Sequence, residues 1–279
     1  MPELPEVETI VRSLSNPVGN TELSIMGRKI IDTAVLWERT LANMKPAEFI
    51  SRVLHQRVES VCRRGKFIVL GLSKDTMLIH LRMSGDLRVE PITDMNGTNV
   101  PIQKHDRMLL VFDNHARLVF NDARKFGRVW LAADPADVLG GLGPEPLAED
   151  LSAERFHQMV LTHQRQLKPL LMDQHFMAGL GNIYTDEALF LARLHPLRRS
   201  NSLSISESAA LLNAIQSVLK EGIRANGASI DWVYRGGDFQ NQFNVYGRKG
   251  EVCPVCGTEI QRLLVGQRGT HICPNCQKI

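Results

Sequence analysis

Apolar residues recur at helical spacing almost from the first position, where Val7, Ile10, Val11 and Leu14 follow Pro5. A 3.6-residue period with proline in its first turn predicts an amphipathic helix beginning near the terminus. The pattern then shifts, up to about residue 133, to short runs rich in β-branched and apolar residues, clearest at 67–72, 77–83, 107–113 and 117–121. These predict antiparallel strands, with Asn114-His115 as a hairpin turn, and so a sandwich or barrel. The Gly/Pro-rich stretch from Leu139 to Pro146 reads as a linker. Beyond it Phe156, Met159 and Val160 open a helical rhythm, and Leu211, Leu212, Ile215, Val218, Leu219 and Ile223 form a strong one that stops at Gly227. The expected class is α+β. A β-sandwich domain flanked by an N-terminal helix spans 1–138, a linker 139–150, a mainly helical domain 151–230, and a terminal segment 231–279.

With 279 residues, 43% of them hydrophobic, the chain is long enough for two domains with separate cores. No apolar run approaches the ~20 residues of a membrane span, and the acidic start argues against a secretory signal peptide, so a cytoplasmic protein with no membrane partner is expected. The net charge is only +3, yet residues 241–279 carry five cations (Arg248, Lys249, Arg262, Arg268, Lys278) against Glu251 and Glu259. A second basic cluster, Arg52, Arg57, Arg63, Arg64 and Lys66, lies in the β region. Localised basic patches suit a polyanion better than a small acid, although a single charge run is more often a solvated face.

Of five cysteines, Cys62 stands alone, while Cys253, Cys256, Cys273 and Cys276 form two CxxC pairs separated by sixteen residues. Two such knuckles supply four thiolates to one tetrahedral Zn²⁺, and four sulfur ligands leave no position for water, so the metal is expected to be structural. A segment of about 40 residues has too little core to fold alone, whereas structural zinc contributes roughly 10–16 kcal/mol in isolated fingers. Between the knuckles, Val265-Gly-Gln-Arg268-Gly-Thr270 reads as a hairpin that displays an arginine.

The chain opens Met-Pro-Glu-Leu-Pro-Glu. Removal of Met1 before so small a residue frees the Pro2 nitrogen, a secondary amine that titrates well below lysine and forms a cationic iminium with an aldehyde-like carbon. Alone, Glu3 and Glu6 read equally well as an ordinary acidic first turn. Between two predicted helices, Met177-Ala-Gly-Leu-Gly-Asn-Ile-Tyr184 offers a tight glycine turn, with Asn182 as cap of the following helix and backbone N–H groups for an anion; a purely structural helix-turn-helix is the alternative.

Taken together, the acidic proline start, Arg63-Arg-Gly-Lys66, His80-Leu-Arg-Met-Ser-Gly85, Asp122-Ala-Arg-Lys-Phe-Gly127, Gly181-Asn-Ile-Tyr184, Val245-Tyr-Gly-Arg-Lys-Gly250 and the cysteine hairpin make the chain resemble the formamidopyrimidine-DNA glycosylase family from Pro2 to Lys278. The resemblance implies a β-sandwich, a helix-two-turn-helix domain and a zinc finger, with double-stranded DNA carrying oxidised purines or abasic sites as partner, and a monomer associated with the nucleoid. It implies that the damaged nucleotide is flipped out at a cost of a few kcal/mol. Pro2 is then the Schiff-base nucleophile, Glu3 the general acid, Glu6 a group ordering water or the amine, Lys66 the proton donor for β-elimination, and Arg268 the finger arginine of δ-elimination. Met83, Arg124 and Phe126 match the residues that fill the vacated stack. His80 belongs to a matching motif, and His105, Lys168 and Asn182 match DNA contacts. A further basic contact is Arg165 or His163, and Glu187 matches a carboxylate near the amine.

Three positions depart from the family pattern: Ala123 replaces a common proline, Arg82 a usual glycine, and the segment 231–240 is short for the loop that caps a flipped 8-oxoguanine. Two rivals remain: an endonuclease VIII-like glycosylase for oxidised pyrimidines, against which Leu4 and the Met83, Arg124, Phe126 set argue, and a non-catalytic zinc-ribbon DNA-binding protein, which leaves the Pro-Glu start and Lys66 without a role.

Overall fold

The computed structural model describes residues 1–16, 21–94, 96–229 and 236–279, and the chain divides into two compact units. Half of the expected capping loop, residues 231–235, lies outside the described residues. No helix among those described is long and apolar enough to cross a membrane.

The first unit is built mainly from Glu6–Gly140. Helix α1 (Leu4–Ser15) starts as its period predicts, with Pro5 in the first turn, where a missing N–H costs nothing. Strand β1 (Ile30–Val35) and helix α2 (Pro46–Val53) follow, then β2 (Val58–Arg64), β3 (Phe67–Leu72), β4 (Thr76–His80), β5 (Gly85–Pro91), β6 (Asp106–Phe112), β7 (Ala116–Asp122), β8 (Arg128–Ala132) and the short α3 (Ala136–Leu139). They form two four-stranded sheets, ordered β1-β6-β7-β5 and β2-β3-β4-β8, in which every pairing is antiparallel. Alternate residues enter one shared core: Ile68, Leu70 and Leu72 from β3, Met108, Leu110 and Phe112 from β6, Leu118 and Phe120 from β7, with Val7, Ile10, Val11 and Leu14 of α1 packed beside them. A core filled from both sheets is a sandwich. The strand expected over 77–83 ends at His80, because Arg82 turns the chain in the left-handed region at φ 54°. That conformation explains why glycine is usual there.

The second unit comprises Glu3–Pro5, Gly141–Ala228 and Gly236–Ile279. The expected linker is packed within it: Gly143 N donates to Gln174 O (2.8 Å), Ala178 N to Pro144 O (3.1 Å), and Leu151 is buried. Helices α4 (Ala153–Leu161), α5 (Leu167–Leu171), α6 (Asn182–Leu191) and α7 (Ile205–Arg224) enclose a second core around Phe156, Leu170, Tyr184, Leu211 and Ile215. A reciprocal Ser204–Glu207 capping box starts α7, and the chain leaves it through Gly227 at φ 82°. Strands β9 (Gln261–Val265) and β10 (Arg268–Ile272) make the expected hairpin; Gly266 and Gln267, at φ 54° and 62°, supply the two positive values of a type I′ turn.

Candidate active site

Pro2 is buried, and its nitrogen is amide-linked to Met1 in the encoded chain. The residue after it is firmly held. Glu3, 2% exposed, accepts from Ile183 N through Oε1 (3.0 Å) and from Tyr184 N through Oε2 (3.4 Å), while Leu4 N donates to Gly179 O (3.1 Å). Two glycines make room for it. A Cβ on Gly181 would overlap the Glu3 carboxyl, and one on Gly179, already at φ +97°, would lie 2.6 Å from Leu4 Cδ1. The cap expected from Asn182 is therefore supplied otherwise: Gly181 is the N-cap of α6, no cap bond comes from its own segment, and a carboxylate 180 residues away satisfies the orphan N–H groups.

Asn182 instead faces the finger, donating from Nδ2 to Gly269 O (3.2 Å) and lying 3.5 Å from the Tyr246 hydroxyl, while no donor among the described residues reaches its buried Oδ1. Lys168, expected to contact DNA, has a fully buried side chain, with Nζ 2.6 Å from Asp186 Oδ1 and 3.1 Å from Gly269 O. Burial holds this lysine below its ordinary value, although Asp186 and then Glu3 pull it up. Asp186 also accepts from His271 N (2.9 Å), so one carboxylate joins α5, α6 and β10 behind Arg268, which is exposed beside the hairpin turn. The Glu187 oxygens accept from the backbone of Asn244, Val245 and Tyr246 and from the Asn244 amide at 2.8–3.0 Å, anchoring the chain that leads into the finger. Arg165 is exposed and paired with Asp173 (2.7 Å), and His163 Nδ1 lies 2.9 Å from Met159 O.

In the first unit Glu6 is 2% exposed in the opening turn of α1, and Lys66, 5% exposed, follows Gly65 (φ 57°) in the β2–β3 turn. His80 lies close by, edge-on to Phe67 at 4.9 Å. Burial, then the charges of Arg82 and Lys66, push His80 down to about 3. Its Nδ1 accepts from Arg82 N (3.0 Å), so the neutral ring carries its proton on Nε2 and organises the Arg82 turn. Two cations of the basic cluster are ion-paired, Arg52 with Asp75 and Arg63 with Glu8 (3.1 Å), while Arg57 donates to Gly27 O and Arg63 also to Gly65 O (3.1 Å). Those ion pairs join residues remote in sequence, which a charge run cannot reveal.

Met83, His105, Arg124 and Phe126 gather at the ends of β5, β6 and β7. Arg124 and Phe126 are exposed, with the guanidinium 5.1 Å above the ring; Met83 and His105 are half-buried. Asp122, Ser84 and Gly127, hydrogen-bonded among these segments, carried no signal beyond belonging to the motifs.

The four finger sulfurs lie within 4.8 Å of one another, with Cys253–Cys276, Cys256–Cys273 and Cys256–Cys276 separations of 3.9, 3.4 and 3.5 Å. A tetrahedron with Zn–S of ~2.3 Å has edges of about 3.8 Å, so this donor set fits zinc. Desolvation and then the other three thiols push Cys276 up to about 12, which is why four thiolates need a cation among them.

A sandwich that begins at a buried Pro-Glu pair, a helical unit whose α6 is capped by that glutamate, and a tetrathiolate hairpin define the class of zinc-finger DNA glycosylases with an N-terminal proline. The sequence profile of the formamidopyrimidine-DNA glycosylase N-terminal domain matches residues 1–129, that of its H2TH domain 142–233, and that of the zinc finger found in FPG and IleRS 250–279. Formamidopyrimidine-DNA glycosylase of Protochlamydia amoebophila is 42% identical over the whole of both chains, and that of Ligilactobacillus salivarius 38% identical over 100% of this chain and 99% of its own. Among solved structures, Lactococcus lactis Fpg in complex with DNA containing an abasic site superposes with a TM-score of 0.88 at 34% identity, covering 99% of this chain and all of that one. MutM in complex with DNA containing carbocyclic 8-oxo-G does so with a TM-score of 0.88 at 35% identity over both whole chains. The chain belongs to the formamidopyrimidine-DNA glycosylase family, whose members are bifunctional glycosylases and AP lyases.

Proposed function

We propose that this protein, acting as a monomer on double-stranded DNA in the nucleoid, excises oxidised purines such as 8-oxoguanine and formamidopyrimidines and cleaves the strand at the resulting abasic site. The observation that carries this reading is the Glu3 clamp: the residue next to Pro2 is bonded to the backbone at the head of α6, so the terminus has one defined position. Such pre-organisation suits a nucleophile and has no use in a passive DNA-binding module.

Once Met1 is removed, the Pro2 nitrogen attacks C1′ of the flipped nucleotide, the glycosidic bond breaks, and the base leaves with the proton that the amine sheds. Glu3 donates a proton to the sugar ring oxygen as the ring opens, leaving an iminium at C1′. Loss of a C2′ proton then expels the 3′ phosphate, with Lys66 in the proton transfer, and a second elimination expels the 5′ phosphate beside Arg268. Glu6 orders the amine or its water, and Asn182 and Arg268 hold phosphate, with Arg165 as an outer contact. Met83, Arg124 and Phe126 fill the vacated stack, Arg124 bonding the orphaned base and His105 a phosphate. Zinc is structural and enters no step.

The lesion class is tested by offering the processed enzyme equal amounts of duplexes carrying 8-oxoguanine and thymine glycol. Preferential excision of 8-oxoguanine is expected; preference for thymine glycol assigns the chain an endonuclease VIII-like specificity instead.

A further inference from the structure

We infer that Asp122 is a positioning residue that sets the geometry of the side chains entering the duplex. The inference rests on the roles proposed above for Met83, His105, Arg124 and Phe126, because Asp122 is bonded to, or one residue away from, each of them. Its carboxylate is buried, the residue being 1% exposed. Oδ1 accepts from the Ser84 hydroxyl and from Arg124 N (3.1 Å), and Ser84 follows Met83. Oδ2 accepts from Gly127 N (2.7 Å), which follows Phe126. On the backbone, Asp122 N donates to His105 O (2.9 Å), while Asp122 O accepts from Arg107 Nε (2.8 Å), whose Nη2 lies 3.3 Å from His105 Nδ1. Ser84 Oγ accepts in turn from Arg124 N (3.1 Å), closing the loop.

The chemistry of the hub explains its residue types. A carboxylate only accepts, and three donors, one hydroxyl and two backbone N–H groups, converge on it from separate positions in the chain. Asparagine would turn an NH₂ toward at least one of those donors, leaving it unpaired in a buried site. Gly127 is confined too, since a Cβ there would run into the Phe120 ring. On the outer side, Lys125 holds the middle of the turn at φ 60° with Nζ 4.0 Å above the Trp37 ring. Arg124 and Phe126, exposed on a pinned turn, have therefore lost much of their freedom before DNA arrives, which lowers the ordering cost of binding.

The test compares processed wild type with Asp122→Asn and Ser84→Ala in three assays: single-turnover excision from an 8-oxoguanine duplex, cleavage of a single-stranded abasic oligonucleotide, and the rise of 2-aminopurine fluorescence beside the lesion. Single-stranded abasic DNA has no pair to open and no opposite base to orphan. For Asp122→Asn, duplex excision is expected to fall about 10- to 100-fold, the scale of a small misplacement of positioning groups. The fluorescence rise should slow in parallel and single-strand cleavage remain within about two-fold; Ser84→Ala should move the same two readouts less. Wild-type excision by folded Asp122→Asn, or equal loss of all three readouts, overturns the inference. If Asp122→Asn does not fold, Ser84→Ala decides, and its unchanged excision overturns it. Failure of the wild type itself to act on either DNA would defeat the proposed function and not the role of Asp122.

Discussion

Replacing Asp186 by Asn tests how the finger is tied to the helices. Lys168 and Asp186 side chains are both 0% exposed and 2.6 Å apart, so the substitution leaves an ammonium buried without its counter-charge and weakens the anchor of His271 N. Breaking one side of a buried pair costs about 3–5 kcal/mol, and at about 2–4 °C per kcal/mol for domains of this size the melting temperature should fall by roughly 6–20 °C. Removing both charges with the Lys168→Met, Asp186→Leu pair should cost much less than the sum of the single changes, because no charge is stranded. The sign of the pH dependence follows. Burial already lowers Lys168 below 10.5 in the fold, so the unfolded chain binds this proton more tightly and stability rises with pH toward 10.5. Loss of Asp186 removes the largest opposing influence and extends that rise to lower pH. Urea unfolding followed by circular dichroism from pH 7 to 10 reads both effects. An Asp186→Asn protein within ~1 kcal/mol of wild type, or one whose stability does not climb with pH, refutes the reasoning.

Two further outcomes are expected. Gly181→Ala forces the Glu3 carboxyl away from Ile183 N and Tyr184 N, so base excision should fall by at least about ten-fold, as for a displaced catalytic group; near-normal rates would show that Glu3 needs no such clamp. Cys273→Ser should lose the one equivalent of zinc found in wild type and with it DNA binding, measured by metal analysis and a gel-shift titration; binding retained without metal would mean that the finger does not depend on it.

What could be read from the chain and what could not separate along physical lines. Regular periods were legible: β3 occupies the expected 67–72, α7 ends before Gly227, and the CxxC spacing brings four sulfurs together. Side-chain partners stayed hidden where they came from far away in sequence. Asn182 lost its cap to Glu3, Lys168 was claimed by Asp186, and Arg52 and Arg63 were neutralised by Asp75 and Glu8. His80 is neutral because burial strips its charge, a property of the fold and not of the residue. Asp122 and Asp186 were silent for the same reason: a buried carboxylate shows its worth only when the donors around it are in place.

Borohydride trapping tests the central claim most directly. Protein shown by mass spectrometry to begin at Pro2 is mixed with abasic DNA and borohydride, and the adduct is digested and mapped. The account predicts one covalent adduct at the Pro2 nitrogen, lost or greatly reduced in Pro2→Gly. An adduct on a lysine, or none at all from correctly processed protein, would contradict it.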